Sequence, residues 1–251
     1  HKERKYRESS KYFTLANNLK LNIKPSQLNN RIKKSQELLI ETGKLEINKK
    51  EYINFHESLF IVGMPRSGST LLESILSMNS NVYALGEINI LEQSFLEQKQ
   101  ISQESPLIDI YSKKLSRFTN KFNISTNKWL YNYQYAGIIA SQIPKAKIIH
   151  CYRNPLDNIL SIYRANFNKV PFSTSIEDIA ELYVHHYELM KIYSETYSNN
   201  LFVYSYDDLV INPSLQIRRI IDWLGWDWSE KYLAPHKSKR SVFTASSEQV
   251  R

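Results

Sequence analysis

From Ser58 onward, short apolar runs alternate with stretches in which apolar residues recur every three or four positions. That alternation predicts strand, loop and helix in repeated order. The runs at 59–64, 82–85, 147–152 and 201–206 read as strands; 69–78, 131–142, 156–167, 176–197 and 213–224 read as helices. The clearest helix is 176–197, where Ile176, Ile179, Leu182, His186, Leu189 and Tyr193 share one stripe. On that stripe His186 reads as a core or boundary histidine, and its neighbour His185 as solvent-facing. Residues 1–54 are polar and helix-prone, with no glycine before Gly43, and Leu28, Ile32 and Leu39 stand among basic residues. This pattern predicts two amphipathic helices. The polar stretch 98–127 gives no legible period, and no internal repeat is visible.

Strands alternating with helices imply a parallel sheet covered on both faces. The expected fold is therefore α/β: a P-loop-like parallel sheet flanked by helices, with a helical N-terminal extension. In such sheets ligands bind beyond the C-terminal strand ends, and two segments rich in anion-binding groups fall there. The first is Gly63-Met64-Pro65-Arg66-Ser67-Gly68-Ser69-Thr70, which has the spacing of a phosphate loop, G-x-x-x-x-G-K-[ST]. Ser69 stands where the lysine of that loop reaches nucleoside triphosphates, which argues against an ATPase, GTPase or kinase. What remains is a set of loop amides at a helix N-terminus, with Arg66 able to grip a tetrahedral oxyanion. The second segment is Arg153-Asn154-Pro155-Leu156-Asp157-Asn158-Ile159-Leu160-Ser161-Ile162-Tyr163-Arg164. Its arginine ends a strand, Pro155 pre-sets a helix start, and Ser161 lies two turns along that helix.

Composition narrows the ligand class. The net charge of +8 comes from 33 basic against 25 acidic residues, scattered along the chain, and no nucleic-acid module accompanies them. A general positive field suits a polyanionic small ligand or an acidic acceptor. Cys151, the single cysteine, lies in an apolar run and reads as a packed core thiol. No internal disulfide can form, which fits a reducing compartment. No run approaches the roughly 18 apolar residues of a membrane helix, and no signal peptide is visible.

With two anion motifs on adjacent strand ends, the chain resembles the sulfotransferases that use 3′-phosphoadenylyl sulfate (PAPS). The first loop is similar to that family's 5′-phosphosulfate loop, P-R-S-G-[ST]-T, and the second to its 3′-phosphate motif, R-[ND]-P-x-D-x-x-x-S-x-Y. The resemblance is closest to tyrosylprotein sulfotransferases and to bacterial sulfotransferases that follow tetratricopeptide arrays. It runs from about residue 59 to 251. It implies a sulfotransferase domain over 55–251 and a helical extension over 1–54, in which residues 11–20 resemble the last helix of such an array.

The resemblance also assigns roles. Arg66, Ser67, Gly68, Ser69 and Thr70 would hold the 5′-phosphosulfate, and Arg153 and Ser161 the 3′-phosphate. Glu87, in Gly86-Glu87, would be the catalytic base; a carboxylate at a strand end can take a hydroxyl proton, although capping of a helix near Ile88 is an alternative role. Lys128 would neutralise the leaving oxygen, but Trp129-Leu130 follow where the family has a proline. Tyr206 would lie near the nucleotide, with Ser205 in place of the usual arginine. In Thr244-Ala245-Ser246-Ser247-Glu248-Gln249-Val250-Arg251, Ser246 takes the position of a catalytic-site serine and Arg251 that of a phosphate-side arginine. A further arginine of the animal enzymes falls on Ala165, beside Arg164.

The implied donor is PAPS, the product is 3′-phosphoadenosine 5′-phosphate (PAP), and no metal is implied. The favoured acceptor is a tyrosine of a protein or peptide. A sugar or small-molecule hydroxyl and a degenerate anion-binding module are the alternatives. A bacterial cytoplasmic location is expected, with no nucleic-acid partner; a homodimer is left open.

Overall fold

The computed structural model describes residues 5–45, 56–101, 105–119, 122–165, 167 and 170–237. Two helices come first, α1 (Tyr6–Ile23) and α2 (Leu28–Thr42). Then follow β1 (Glu57–Gly63), α3 (Ser69–Leu76), β2 (Val82–Ala84), α4 (Ile90–Ile101), α5 (Leu107–Thr119) and β3 (Ile124–Asn127). A 3-10 turn over Leu130–Tyr135 leads into α6 (Ala136–Gln142), β4 (Lys147–Tyr152) and α7 (Pro155–Arg164). After a second 3-10 turn, Pro171–Thr174, come α8 (Ile176–Thr196), β5 (Leu201–Ser205), α9 (Tyr206–Ile211) and α10 (Pro213–Leu224).

Among the described residues the five strands form one sheet in the order β2-β3-β1-β4-β5, and every pairing is parallel. The α/β expectation therefore holds. Successive side chains of a strand point to opposite faces, which divides the core in two. Phe60, Val62 and Ile148 pack with α4, α5, α6 and α8. Leu59, Ile61, Ile149 and Cys151 pack on the other face with α3 and α10. The helical extension joins the first of these cores through Leu38, and through Leu28 it packs into a third cluster with Met64, Ile162, Phe172, Ile179 and Leu182. Its approach is close: a Cβ on Gly137 of α6 would stand 2.2 Å from Thr42 Cγ2.

Several expectations need correction. Within the stretch that seemed without pattern lie α5 and the whole of β3. The strand escapes a hydrophobic reading because Ser125, Thr126 and Asn127 are polar yet fully buried. The helix read at 131–142 is a 3-10 turn followed by α6, and the strand read at 201–206 stops one residue early. There the Ser205 hydroxyl accepts from Asp208 N–H at 3.1 Å and caps α9, so Tyr206 opens a helix. His186 is buried as expected, but His185 is half-buried with Nε2 enclosed. Cys151 is a core thiol, and burial pushes its pKa far up.

Candidate active site

The parallel register sets the C-terminal strand ends side by side: Gly63 pairs with Cys151, and Tyr152 with Ser205. Each strand is followed at once by site residues predicted from sequence. The phosphate loop follows β1, Gly86-Glu87 lies just past β2, Lys128 follows β3, Arg153 follows β4, and Tyr206 follows β5.

After β1, Met64 is buried against Ile162 and Phe172 and anchors the loop. Arg66 and Gly68 both take left-handed backbone conformations, with φ of 68° and 92°. A non-glycine residue at such an angle costs about 1–3 kcal/mol and persists where its surroundings impose it. The Tyr206 ring lies directly on Gly68, so a Cβ there would stand 2.3 Å from Tyr206 Cδ2. Ser67, Ser69 and Thr70 are buried within the loop and the first turn of α3.

The two anion motifs meet although 95 residues separate them: Arg66 Nε donates to Ser161 Oγ at 3.2 Å. Asn158 Nδ2 adds a second tie, donating to the Pro65 carbonyl at 3.0 Å. Arg153 stands close by, its guanidinium 5.0 Å from the Tyr206 ring centroid. Burial, and then the charge of Arg153, push the Arg66 pKa down. Two cations held this near one another are suited to a polyanion between them. The backbone of Arg153 is fixed from both sides. Its carbonyl accepts from Tyr183 Oη at 2.7 Å, and the next N–H, of Asn154, donates to Asp207 at 2.6 Å. Asn154 caps α7 by accepting from Leu156 and Asp157 N–H, with Pro155 at the first helical position. Arg153 also borders an open cavity of about 660 Å³ with Tyr152, Tyr183, Tyr187 and Asp207.

On the other side of the sheet, the Lys128 side chain is 0% exposed and its Nζ lies 2.6 Å from Glu87 Oε1. Glu87 keeps 44% of its side chain accessible. It stands three residues before α4, which begins at Ile90. The backbones of the pair are joined too, Lys128 N–H donating to the Gly86 carbonyl at 2.8 Å. Asn127 organises the turn where the family motif has a proline. Its Oδ1 accepts from Trp129 N–H at 3.1 Å and Asn132 Nδ2 at 2.9 Å, while its Nδ2 donates to the Ile88 carbonyl at 3.0 Å.

Sequence reasoning missed Asn127 and Asn158. Both are buried amides at element ends, and for Asn158 a signal existed: it lies one turn before Ile162 on the buried face of α7. Ser246 and Arg251 lie outside the described residues. Among the described residues no group of three or more His, Cys, Asp and Glu is placed to hold a metal ion. Among the described residues no helix is long and apolar enough to cross a membrane.

An uncharacterized protein of Aquifex aeolicus (strain VF5) is 28% identical over 217 residues, 77% of this chain. The chain spans only 28% of the length of that relative. Among solved structures, the sulfotransferase domain of the Synechococcus PCC 7002 olefin synthase superposes with a TM-score of 0.57 at 21% identity, over 77% of this chain and 82% of that one. The sulfotransferase domain from the curacin biosynthetic pathway gives 0.56 at 18% identity, over 77% and 83%. These two share the fold. A family model for sulfotransferases matches residues 58–230, from β1 through α10. With that match over most of its length, the chain belongs to the sulfotransferase family.

Proposed function

We propose that the protein transfers a sulfuryl group from PAPS to an acceptor hydroxyl. The observation that carries this reading is the Arg66–Ser161 contact, which brings two anion motifs to one place beside Arg153 and Tyr206. In this reading the amides of residues 67–70 and Arg66 hold the 5′-phosphosulfate, Arg153 and Ser161 hold the 3′-phosphate, and Tyr206 lies against the nucleotide. The acceptor proton passes to the Glu87 carboxylate as the acceptor oxygen bonds to sulfur. The sulfur–oxygen bond to the 5′-phosphate breaks, and its electron pair leaves with PAP. Lys128 turns from Glu87 to the charge growing on that oxygen. Ser246 and Arg251, from the C-terminal segment, complete the donor site. Most of the rate comes from positioning and charge neutralisation, as in phosphoryl transfer.

The finer reading takes a tyrosine of a protein or peptide as acceptor. It is supported by the aromatic rings beside Glu87: Trp129 and Tyr131 lie 5.3 Å apart, and Arg31 of α2 stacks 3.6 Å from the Tyr131 ring centroid. These edge-to-face rings, with the arginine beside them, suit a phenol with acidic neighbours. A small-molecule acceptor is the second reading, favoured by the olefin synthase and curacin pathway origin of the two similar domains. The proposal also keeps the division into a helical extension over 1–54 and a sulfotransferase domain over 55–251, a cytoplasmic location, and no metal requirement.

Calorimetric titration tests the donor: PAP binds tightly and ATP, lacking a 3′-phosphate, weakly. Equal affinity for the two sinks the donor assignment. Labelled PAPS offered to peptide, glycan and metabolite pools then decides between the acceptors.

A further inference from the structure

None of the roles above uses Glu73, a carboxylate that is only 3% exposed. It lies in α3, one turn beyond Ser69 and Thr70. Burying a carboxylate is costly unless hydrogen bonds repay it, and two do. Glu73 Oε1 accepts from the backbone N–H of Gly86 at 3.2 Å and from the Thr126 hydroxyl at 3.0 Å. Gly86 immediately precedes Glu87, and Thr126 lies two residues before Lys128.

The peptide carrying Glu87 is thus gripped from several directions. Glu73 holds the Gly86 N–H from α3, the Gly86 carbonyl accepts from Lys128, and Asn127 holds the Ile88 carbonyl from β3. The grip from α3 differs in kind, because that helix begins inside the phosphate loop: Leu72 N–H donates to the Gly68 carbonyl at 3.1 Å. Any shift of α3 that accompanies anion binding at its N-terminus reaches Gly86 through one side chain.

We propose that Glu73 is a positioning residue that couples the donor loop to the loop carrying the base, so that seating the nucleotide also seats Glu87. The inference rests on the reading of residues 63–70 as the donor site. A coupling of this kind is reciprocal between the two loops, and it can be measured without an acceptor.

The test is amide hydrogen exchange at residues 86–88 with and without PAP, on the full chain, with PAP affinity measured on the same samples. In the wild type PAP slows exchange there about tenfold. Glu73→Gln retains the effect, because the amide oxygen still accepts both hydrogen bonds. Glu73→Ala and the space-filling Glu73→Met lose it, to within about twofold, while PAP affinity changes by less than about threefold. Lower melting temperatures with PAP-dependent protection intact would mean a merely structural carboxylate and overturn the inference. So would PAP binding to the wild type without slowing exchange at 86–88, a result that needs no variant to fold. Failure of PAP to bind the wild type overturns the donor reading and this inference with it.

Discussion

The edges of the sheet solve different problems. On β1, β4 and β5, the side proposed for the anion, the site residues come in two continuous runs of sequence, with Tyr206 after β5 beside them. Left-handed backbone at Arg66 and Gly68 shapes the loop, and Arg66, Ser161, Arg153 and Tyr206 crowd together. On β2 and β3, the proton side, single residues stand at separate strand ends. Glu87 and Lys128 meet where the β2–β3 ladder and the Lys128–Gly86 backbone bond are braced by buried polar side chains, Asn127, Thr126 and Glu73. An anion can be met by many donors at once, and local backbone supplies them. A proton transfer needs one carboxylate at one distance, and that demands support from several elements.

If the division is real, Glu87→Gln gives the largest effect. Single-turnover sulfation falls by about 10²–10⁴-fold while PAP affinity stays near wild type. Parallel loss of both would break the comparison, because the base side would then also be binding the donor.

Acid tests the anion side from beneath. His150 of β4 and His186 of α8 are buried with ring centroids 4.9 Å apart. His150 lines a small pocket together with Ser67 of the loop and Asn158 of α7. Burial holds the His150 pKa down to about 4 from a usual 6.5. Burial also holds His186 well below that usual value, helped by the His150 charge. Between pH 6.5 and 4 the unfolded chain therefore binds protons that the folded chain refuses. Stability is fully present above pH 6.5 and falls as pH drops towards 4, by about 3 kcal/mol for His150 alone. Denaturant titrations across that range measure the loss, and His150→Phe should flatten it. An unchanged slope in the variant would place the acid sensitivity elsewhere.

A smaller effect is expected at Arg153. Removing a charge-assisted contact costs about 1.5–3 kcal/mol, so Arg153→Ala weakens PAP by about ten- to a hundredfold. ATP binding should hardly change. Calorimetry that finds both nucleotides weakened alike would move the 3′-phosphate away from this residue. The smallest change is Asn158→Ala, which frees the Pro65 carbonyl from one neutral hydrogen bond worth about 1 kcal/mol. PAP affinity should drop about fivefold with little effect on the chemical step. A larger effect on turnover than on affinity would mean that the anion side also positions the base.

Legibility followed the same division. β1 and β4 are apolar runs buried on both faces, so they stand out in the sequence, and the bounds of β4 and α10 come out as read. The two proposed anion motifs are contiguous, so the family resemblance that carries them is legible in short runs of sequence. β3 was invisible because its core-facing positions are serine, threonine and asparagine. Those residues are tolerated inside only where partners exist, such as Glu73 for Thr126 and Ile88 for Asn127. The sequence predicts one continuous helix over 131–142, whereas Asn132, tied to Asn127, sits in a 3-10 turn.

By itself, the order of apolar and polar residues determined the alternation of strand and helix, the parallel sheet, and which loops stand at the C-terminal strand ends. These follow from local periodicity and from backbone chemistry that neighbouring residues share. Only the tertiary structure decided that Arg66 touches Ser161, that Glu87 pairs with Lys128, and that Glu73 joins the two loops. Each of those contacts spans 13 to 95 residues. Two of the partners, Lys128 and Glu73, are charged side chains whose burial is tolerated only once the whole sheet has brought their counterparts to them.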